Sequence, residues 1–333
     1  MNITETLLLT RHDAAQLLTI EECIIAVENA FRLYATGNAP APGVLGIHSQ
    51  NGVFHTKAGI LNLEKSYFVS KTNANFPGNV QRNGLPSIQG VITVCDADNG
   101  RFLALIDGIE ITILRTGAAT AVATKYLARP DAKTITICGC GNQGRVSLKA
   151  VMKVRQLEKA FVYDINEQMA IQFAEELSKE LNISIQPVSD LKEAIHESDI
   201  CITCTPSKKP FLHREYLPAG IFIAAVGADN EDKQELEPLI LSSNKVVTDI
   251  TAQCASMGEL HHALQMGLMK HTDVYAELGQ IISGEKRGRI SDEEIIVFDS
   301  TGTALQDIAS AAIVYEKAIQ KNIGIKLNFA QNI

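Results

Sequence analysis

The 333-residue sequence has no block rich in lysine and arginine, and its formal net charge is −8. A chain that tracks a phosphate backbone concentrates positive charge on one face, so nucleic acid is not an expected partner. An anionic small ligand would need local positive charge instead. No apolar run approaches the roughly 20 residues of a membrane span. The N-terminus "MNITETLLLTRHD" also lacks a charged start followed by a long hydrophobic segment. The expected location is the cytoplasm, with no membrane contact. The seven cysteines fall at irregular spacings and describe no disulfide framework. Cys201 and Cys204, in "CITC", suggest a metal or redox pair, but they lie in the apolar run "DICITCTP", where free cysteine acts as a small buried hydrophobe. Cys138 and Cys140 flank Gly139 and make at most half a zinc site. No metal is expected. Internal repeats and low-complexity linkers are also missing.

The sequence does have enough apolar material for two cores. Apolar residues make up 46% of the chain, and single cores usually stop growing at roughly 250 to 300 residues. "TIEECIIAVENAFRLYATG" places Cys23, Ile24, Val27, Ala30, Phe31 and Tyr34 at helical spacing. Thr19 and Glu22 form a capping box there, and Gly37 a stop. After a Pro/Gly-containing loop, "GVFHTKAGI" and "SYFVSKTNANF" read as strands, and Asn99-Gly100 joins two more as a hairpin. "ILRTGAATAVATKYLARP" reads as a helix ended before Pro130. The N-terminal part is thus helix plus mostly antiparallel sheet.

Beyond it, strand-like and helical segments alternate from "TITIC" to "KVVTDI", the pattern of a parallel doubly wound sheet, and "EIIVFDSTGTALQDIASAAIVYEKAIQ" adds a strand and a long helix. "TITICGCGNQG" holds Gly139, Gly141 and Gly144 at G-x-G-x-x-G spacing, after a strand and opening a helix. In the dinucleotide-binding arrangement the first glycine makes the tight turn and the second lets backbone N–H groups approach the pyrophosphate. The third lets the helix pack closely on the strand, and the helix N-terminus supplies positive partial charge. Asp164 ends the next strand in "FVYDIN". A carboxylate there accepts from both adenosine ribose hydroxyls and repels a 2′-phosphate, which favours NAD over NADP. Arg145, just after the glycines, would soften that preference.

Open parallel sheets bind ligands at the carboxyl ends of their strands, and Asp229 follows "IFIAAVGA" at such an end. Beside apolar walls its carboxyl would titrate high and exchange a proton with a substrate nitrogen; the alternative is a helix N-cap. His261 and His262, in "MGELHHALQMG", have the spacing of a surface or domain contact and are assigned no role.

Together "LRTGAATAVATKYLA", "GCGNQG", "VGADNEDKQEL" and "FDSTGTALQD" resemble the ornithine cyclodeaminase and mu-crystallin family, in the right order and over nearly the whole chain. The resemblance implies an α/β fold with a Rossmann domain, residues 126–305, inserted in an α+β substrate-binding and dimerisation domain, residues 1–125 plus 306–333. It also implies homodimers. Arg115 matches the arginine that binds the substrate carboxylate, and Lys71, which shares a strand face with Tyr67 and Val69, matches the family's active-site lysine. Asp229 matches the catalytic aspartate of the cyclodeaminases and of related alanine dehydrogenases. Lys233, Ser300 and Thr301 match contacts on the nicotinamide side. Asn142 and Gln143 in the glycine turn, with Thr116, Thr205 and Val226, complete the expected cofactor set.

The sequence also departs from the family pattern. Val44 stands near the place of a second arginine, so one carboxylate ligand is missing. In "VFHTKAG" His55 replaces the glutamate that takes the distal amine of ornithine, and Lys57 with Ala58 replaces a Met-Pro pair. These changes tell against cyclisation. The expected activity is NAD(H)-dependent hydride transfer at the α-carbon of a small amino acid or its imine. Alternation places Val53, His55 and Lys57 on one face, making Lys57 a candidate second anchor for the substrate's anionic group, against the reading of a solvated strand lysine. The alternatives are ornithine or lysine cyclodeamination and a non-catalytic crystallin-type binding protein; the latter resembles "VGAS" where this chain has Asp229.

Overall fold

The computed structural model describes residues 5–328. It divides into two compact units, one running to Arg115 and resuming at Thr303, the other spanning Thr116–Gly302.

The first unit is a seven-stranded sheet in the order Ile325–Asn328, Glu5–Leu9, Phe102–Asp107, Ile88–Asp96, Ser66–Asn75, Gly52–Asn62, Gly43–Ser49. The sheet is antiparallel except where Glu5–Leu9 runs parallel to Phe102–Asp107. Helices Arg11–Leu17, Ile20–Ala35 and Ala304–Lys321 belong to the same unit. Ile20–Ala35 starts where the capping box does: Thr19 Oγ1 accepts from Glu22 N–H, and the Glu22 carboxylate accepts from Thr19 N–H. The hairpin turn ends in Gly100 at φ +78°, a left-handed conformation that side chains resist. Strand Gly43–Ser49 corrects the reading of that stretch as loop. It is an edge strand, almost wholly exposed, so no hydrophobic alternation marks it.

One face of this sheet is buried. Tyr67, Val69 and Lys71 alternate inward along Ser66–Asn75. A cross-strand row runs Val44, Lys57, Lys71, Ile92, Ile106. Helix Ala304–Lys321 packs on that face. A side chain at Gly59 would meet Ile308 and Ala304. On the other face Leu45, Ile47, Phe54 and Val91 remain exposed.

The second unit is an eight-stranded parallel sheet in the order Ala276–Glu277, Lys245–Thr248, Ile296–Asp299, Phe222–Ala225, Ile200–Thr203, Thr134–Cys138, Lys159–Tyr163, Ser184–Pro187. Chain order reverses at Thr134–Cys138, the topological switch point of a Rossmann sheet. Its central strands are buried on both faces and read as continuous apolar runs. Cys138, Cys140 and Cys201 are buried there, Cys204 is half-buried, and all four are free thiols. Among the described residues no three His, Cys, Asp or Glu side chains cluster as metal ligands, and no helix is long and apolar enough to cross a membrane.

Candidate active site

In the Rossmann unit the strand Thr134–Cys138 ends at the glycine turn. Gly139 has φ +107°, and its N–H donates to Tyr163 O at 2.9 Å. A Cβ at Gly144 would lie 2.1 Å from the Gly139 carbonyl oxygen, so the third glycine is required for the helix to meet the turn. Helix Asn142–Val151 has Gly141 at its N-cap, where no side chain satisfies the first N–H groups and a Cβ would meet nothing within 4 Å. Beside it Gln143 Oε1 is buried without a hydrogen-bond partner. Open space and uncapped donors at a helix N-terminus suit a pyrophosphate.

Asp164 is tied to this turn. Its Oδ2 accepts from Cys140 N–H at 2.8 Å and its Oδ1 from Asn166 N–H at 2.9 Å. Arg145 Nη1 meets Glu176 at 2.6 Å, and its guanidinium lies 5.2 Å from the Phe173 ring centre. Gly117, in "RTGAA", has a packing role, since a Cβ there would press on Val146 of the glycine-turn helix at 2.9 Å.

At the carboxyl ends of the next strands a fully buried carboxylate, Glu235, draws two segments together. It accepts from Thr203 Oγ1 (2.7 Å) and Gly227 N–H (3.0 Å) on one oxygen, and from Thr205 N–H (2.6 Å) and Oγ1 (2.7 Å) on the other. Burial pushes its carboxyl above the ordinary range, although all four donors favour the anion. Glu235 N–H donates in turn to Glu259, and Glu259 N–H to Asp299. Thr205 and Val226 lie on the two joined segments. Ser300 and Thr301 are buried, with both hydroxyls donating to Asp249, which also accepts from Gly302 N–H at 2.8 Å.

Asp229 follows strand Phe222–Ala225 on a turn leading to strand Gln234–Leu236. No helix starts there, so the N-cap reading does not hold. Nor are its walls simply apolar: its side chain is 44% exposed, and Lys233 Nζ stands 2.7 Å from Oδ1. Lys233 also donates to the Gly227 carbonyl at 3.3 Å. His262 Nε2 contacts the Lys233 carbonyl at 2.8 Å, while His261 Nδ1 lies 3.1 Å from Ala255 O.

In the first unit Lys71 and Arg115 meet on one carboxylate. Lys71 Nζ is 2.7 Å from Asp307 Oδ1 and Arg115 Nε is 3.2 Å from the same oxygen, with all three side chains buried. Arg115 Nη1 donates to Gln306 Oε1 at 2.8 Å. Lys57, 7% exposed, is the cross-strand neighbour of Lys71 on one side and of Val44 on the other. That burial excludes a solvated strand lysine. His55, two residues before Lys57, is half-buried, and a Cβ at Gly46 would meet its ring at 3.3 Å. Burial first, then the guanidinium of Arg115, lowers Lys71 to about 7 against the opposing pull of Asp307.

The model of the ornithine cyclodeaminase/mu-crystallin family matches residues 4–322. The chain belongs to that family. The alanine dehydrogenase of Archaeoglobus fulgidus is 37% identical over 326 residues, covering 98% of this chain and 99% of the relative. An archaeal alanine dehydrogenase dimer with bound NAD superposes with a TM-score of 0.93 at 38% identity, covering 98% of this chain and 100% of that one. The Delta(1)-pyrroline-2-carboxylate reductase of Thermococcus litoralis, in complex with NADH and L-proline, superposes with a TM-score of 0.91 at 36% identity, covering 97% and 100%.

Against this cyclodeaminase-family background, sequence reading missed Gln306, Asp307 and Glu235. All three lie inside motifs that carried the resemblance, "FDSTGTALQD" and "VGADNEDKQEL". The signal available was a polar residue in an otherwise apolar helix start, and an acid within a short buried strand.

Proposed function

We propose that this family member is an NAD(H)-dependent oxidoreductase acting at the α-carbon of a small amino acid or its imino acid. The observation that carries the reading is the buried pair of cations, Lys71 and Arg115, on one oxygen of Asp307, in a chain that also holds a dinucleotide turn. Buried charges are costly, and a buried cationic pair with a displaced titration marks a candidate functional site. Arg115 presents a planar fork to the substrate carboxylate. Lys71 orients and polarises the reacting end. Lys57 stands beside Val44, where the family's second arginine is missing, and takes the other anionic contact. Asp229, half-exposed at a strand's carboxyl edge, accepts a proton from the substrate nitrogen in oxidation and returns it in reduction.

Gly139, Gly141, Asn142, Gln143 and Gly144 would hold the pyrophosphate and Asp164 the adenosine ribose, which favours NAD over NADP. NAD(H) bound there supplies the hydride acceptor or donor. Thr116, Thr205, Val226, Lys233, Ser300 and Thr301 complete the proposed cofactor contacts. The exposed apolar residues Leu45, Ile47, Phe54 and Val91 form one face of a sheet, and we assign that face to a second copy of the chain in a homodimer.

The deciding experiment follows NADH oxidation over pyruvate with ammonia or methylamine, cyclic imino acids and larger 2-oxo acids. Turnover on one of these with no ammonia released from ornithine is the expected result. Proline formation from ornithine at a rate matching the best reductive substrate would replace this reading with cyclodeamination. A folded protein with no turnover on any of them would leave a binding protein.

A further inference from the structure

Asp307 lies near the start of helix Ala304–Lys321, remote in sequence from both cations it meets. Its side chain is 1% exposed. Oδ1 accepts from Lys71 Nζ at 2.7 Å and lies 3.2 Å from Arg115 Nε, while Oδ2 is buried without a hydrogen-bond partner. The neighbouring Gln306 spends its oxygen on Arg115 Nη1, and its own Nε2 is left unpartnered. Asp307 and Gln306 thus meet the guanidinium at two separate nitrogens, Nε and Nη1, which fixes the plane in which its remaining N–H groups can meet a ligand.

We propose that Asp307 is a positioning residue for the reaction, holding Lys71 as an ammonium and fixing the Arg115 fork so that both present positive charge to the substrate's carboxylate end. The inference rests on the function proposed above. Its chemical content is a choice of protonation state. From the helix Ile109–Leu127 Arg115 faces Lys71, from strand Gly52–Asn62 Lys57 does, and from strand Ile88–Asp96 the neighbour is the uncharged Ile92. Asp307 is the anion in this set. Burial and the two neighbouring cations favour the neutral amine, with Lys71 lowered to about 7, so the carboxylate decides whether the ammonium survives at neutral pH. A residue that merely packed the helix would leave that titration where it is.

The test is a pH titration of lysine side-chain signals by 13C NMR in the full-length protein labelled at lysine Cε, with Lys71 assigned by its loss in Lys71→Arg. In Asp307→Asn the Lys71 midpoint should fall by roughly one pH unit or more, each unit being a tenfold change in the ammonium's stability. KM for the imino acid should rise on the order of tenfold while the Kd for NADH holds. Asp307→Glu, which keeps the charge on a longer side chain, should hold the midpoint near the wild-type value and still raise KM. An unmoved midpoint in Asp307→Asn overturns the proposal. If that variant is not recovered folded, a midpoint in Asp307→Glu displaced by a full unit does the same, and a retained one supports it. The titration needs no turnover, so a native protein without activity would remove the proposed function and still decide whether Asp307 holds Lys71 as an ammonium.

Discussion

Lys233 reaches back one turn of chain to Asp229: their charged groups stand 2.7 Å apart, and the same ammonium donates to the Gly227 carbonyl at 3.3 Å. The pair thus anchors a proton-exchanging candidate to the backbone that closes strand Phe222–Ala225.

Asp229→Asn keeps the shape of that side chain and removes the acid. Turnover is expected to fall on the order of 10²-fold or more, the range of general acid-base contributions, while NADH binding barely changes. Stopped-flow turnover beside a fluorescence titration of NADH checks both. Near-native turnover would leave Asp229 as a positioning partner of Lys233.

The proposed preference for NAD rests on Asp164, which holds the glycine turn through Cys140 N–H while Arg145 is paired with Glu176. NADH should bind about tenfold or more better than NADPH, roughly 1.4 kcal/mol, and Asp164→Ser should narrow the gap. Isothermal titration with each cofactor measures it. Equal affinities in the native protein would defeat the assignment.

Lys57→Ala removes a buried ammonium beside Val44 and Lys71. KM for the acid substrate is expected to rise strongly with NADH affinity unchanged, since an ammonium acts as a point charge on whatever carboxylate lies within reach. Steady-state kinetics over a substrate series reads this directly. An unchanged KM takes Lys57 out of the site.

Asp299 is fully buried, and burial pushes its carboxyl up to about 7 from the ordinary 3.8, against the backbone donors Leu260 and Glu259. A raised carboxyl means the folded state holds a proton that the unfolded chain has released. This contribution to stability is complete below pH 4 and is lost as pH rises through 7, with a slope of up to about 1.4 kcal/mol per pH unit in that window. Lys71, lowered to about 7 from 10.5, acts in the other direction, losing its contribution as pH falls from above 10 through 7. Urea denaturation of the native protein and Asp299→Asn between pH 5 and 8 isolates the first effect. The native protein's advantage over the variant should shrink as pH rises, and a difference that is flat or grows with pH would contradict the burial argument.

The sequence by itself determined what depends on neighbours along the chain. The Thr19–Glu22 box, the Asn99-Gly100 turn, the G-x-G-x-x-G spacing and the alternation that buries Tyr67, Val69 and Lys71 are short-range patterns, each written within a dozen or so residues. Their physics is local: a cap needs the N–H three residues on, and a strand face needs every second side chain. Strand Gly43–Ser49 escaped because, exposed along nearly its whole length, it has no buried face to alternate toward. Only the tertiary structure decided the partners. Lys71 meets an aspartate 236 residues away and Arg115 a glutamine 191 residues away, and no periodicity reaches across the inserted Rossmann unit to join them. Asp229 is similar in kind at shorter range. Its place at a strand's edge was legible, but whether apolar walls or Lys233 would face it depended on how the turn after that strand closes. Charge and burial at a site come from segments that meet in space, and so the protonation states that set its chemistry belong to the fold.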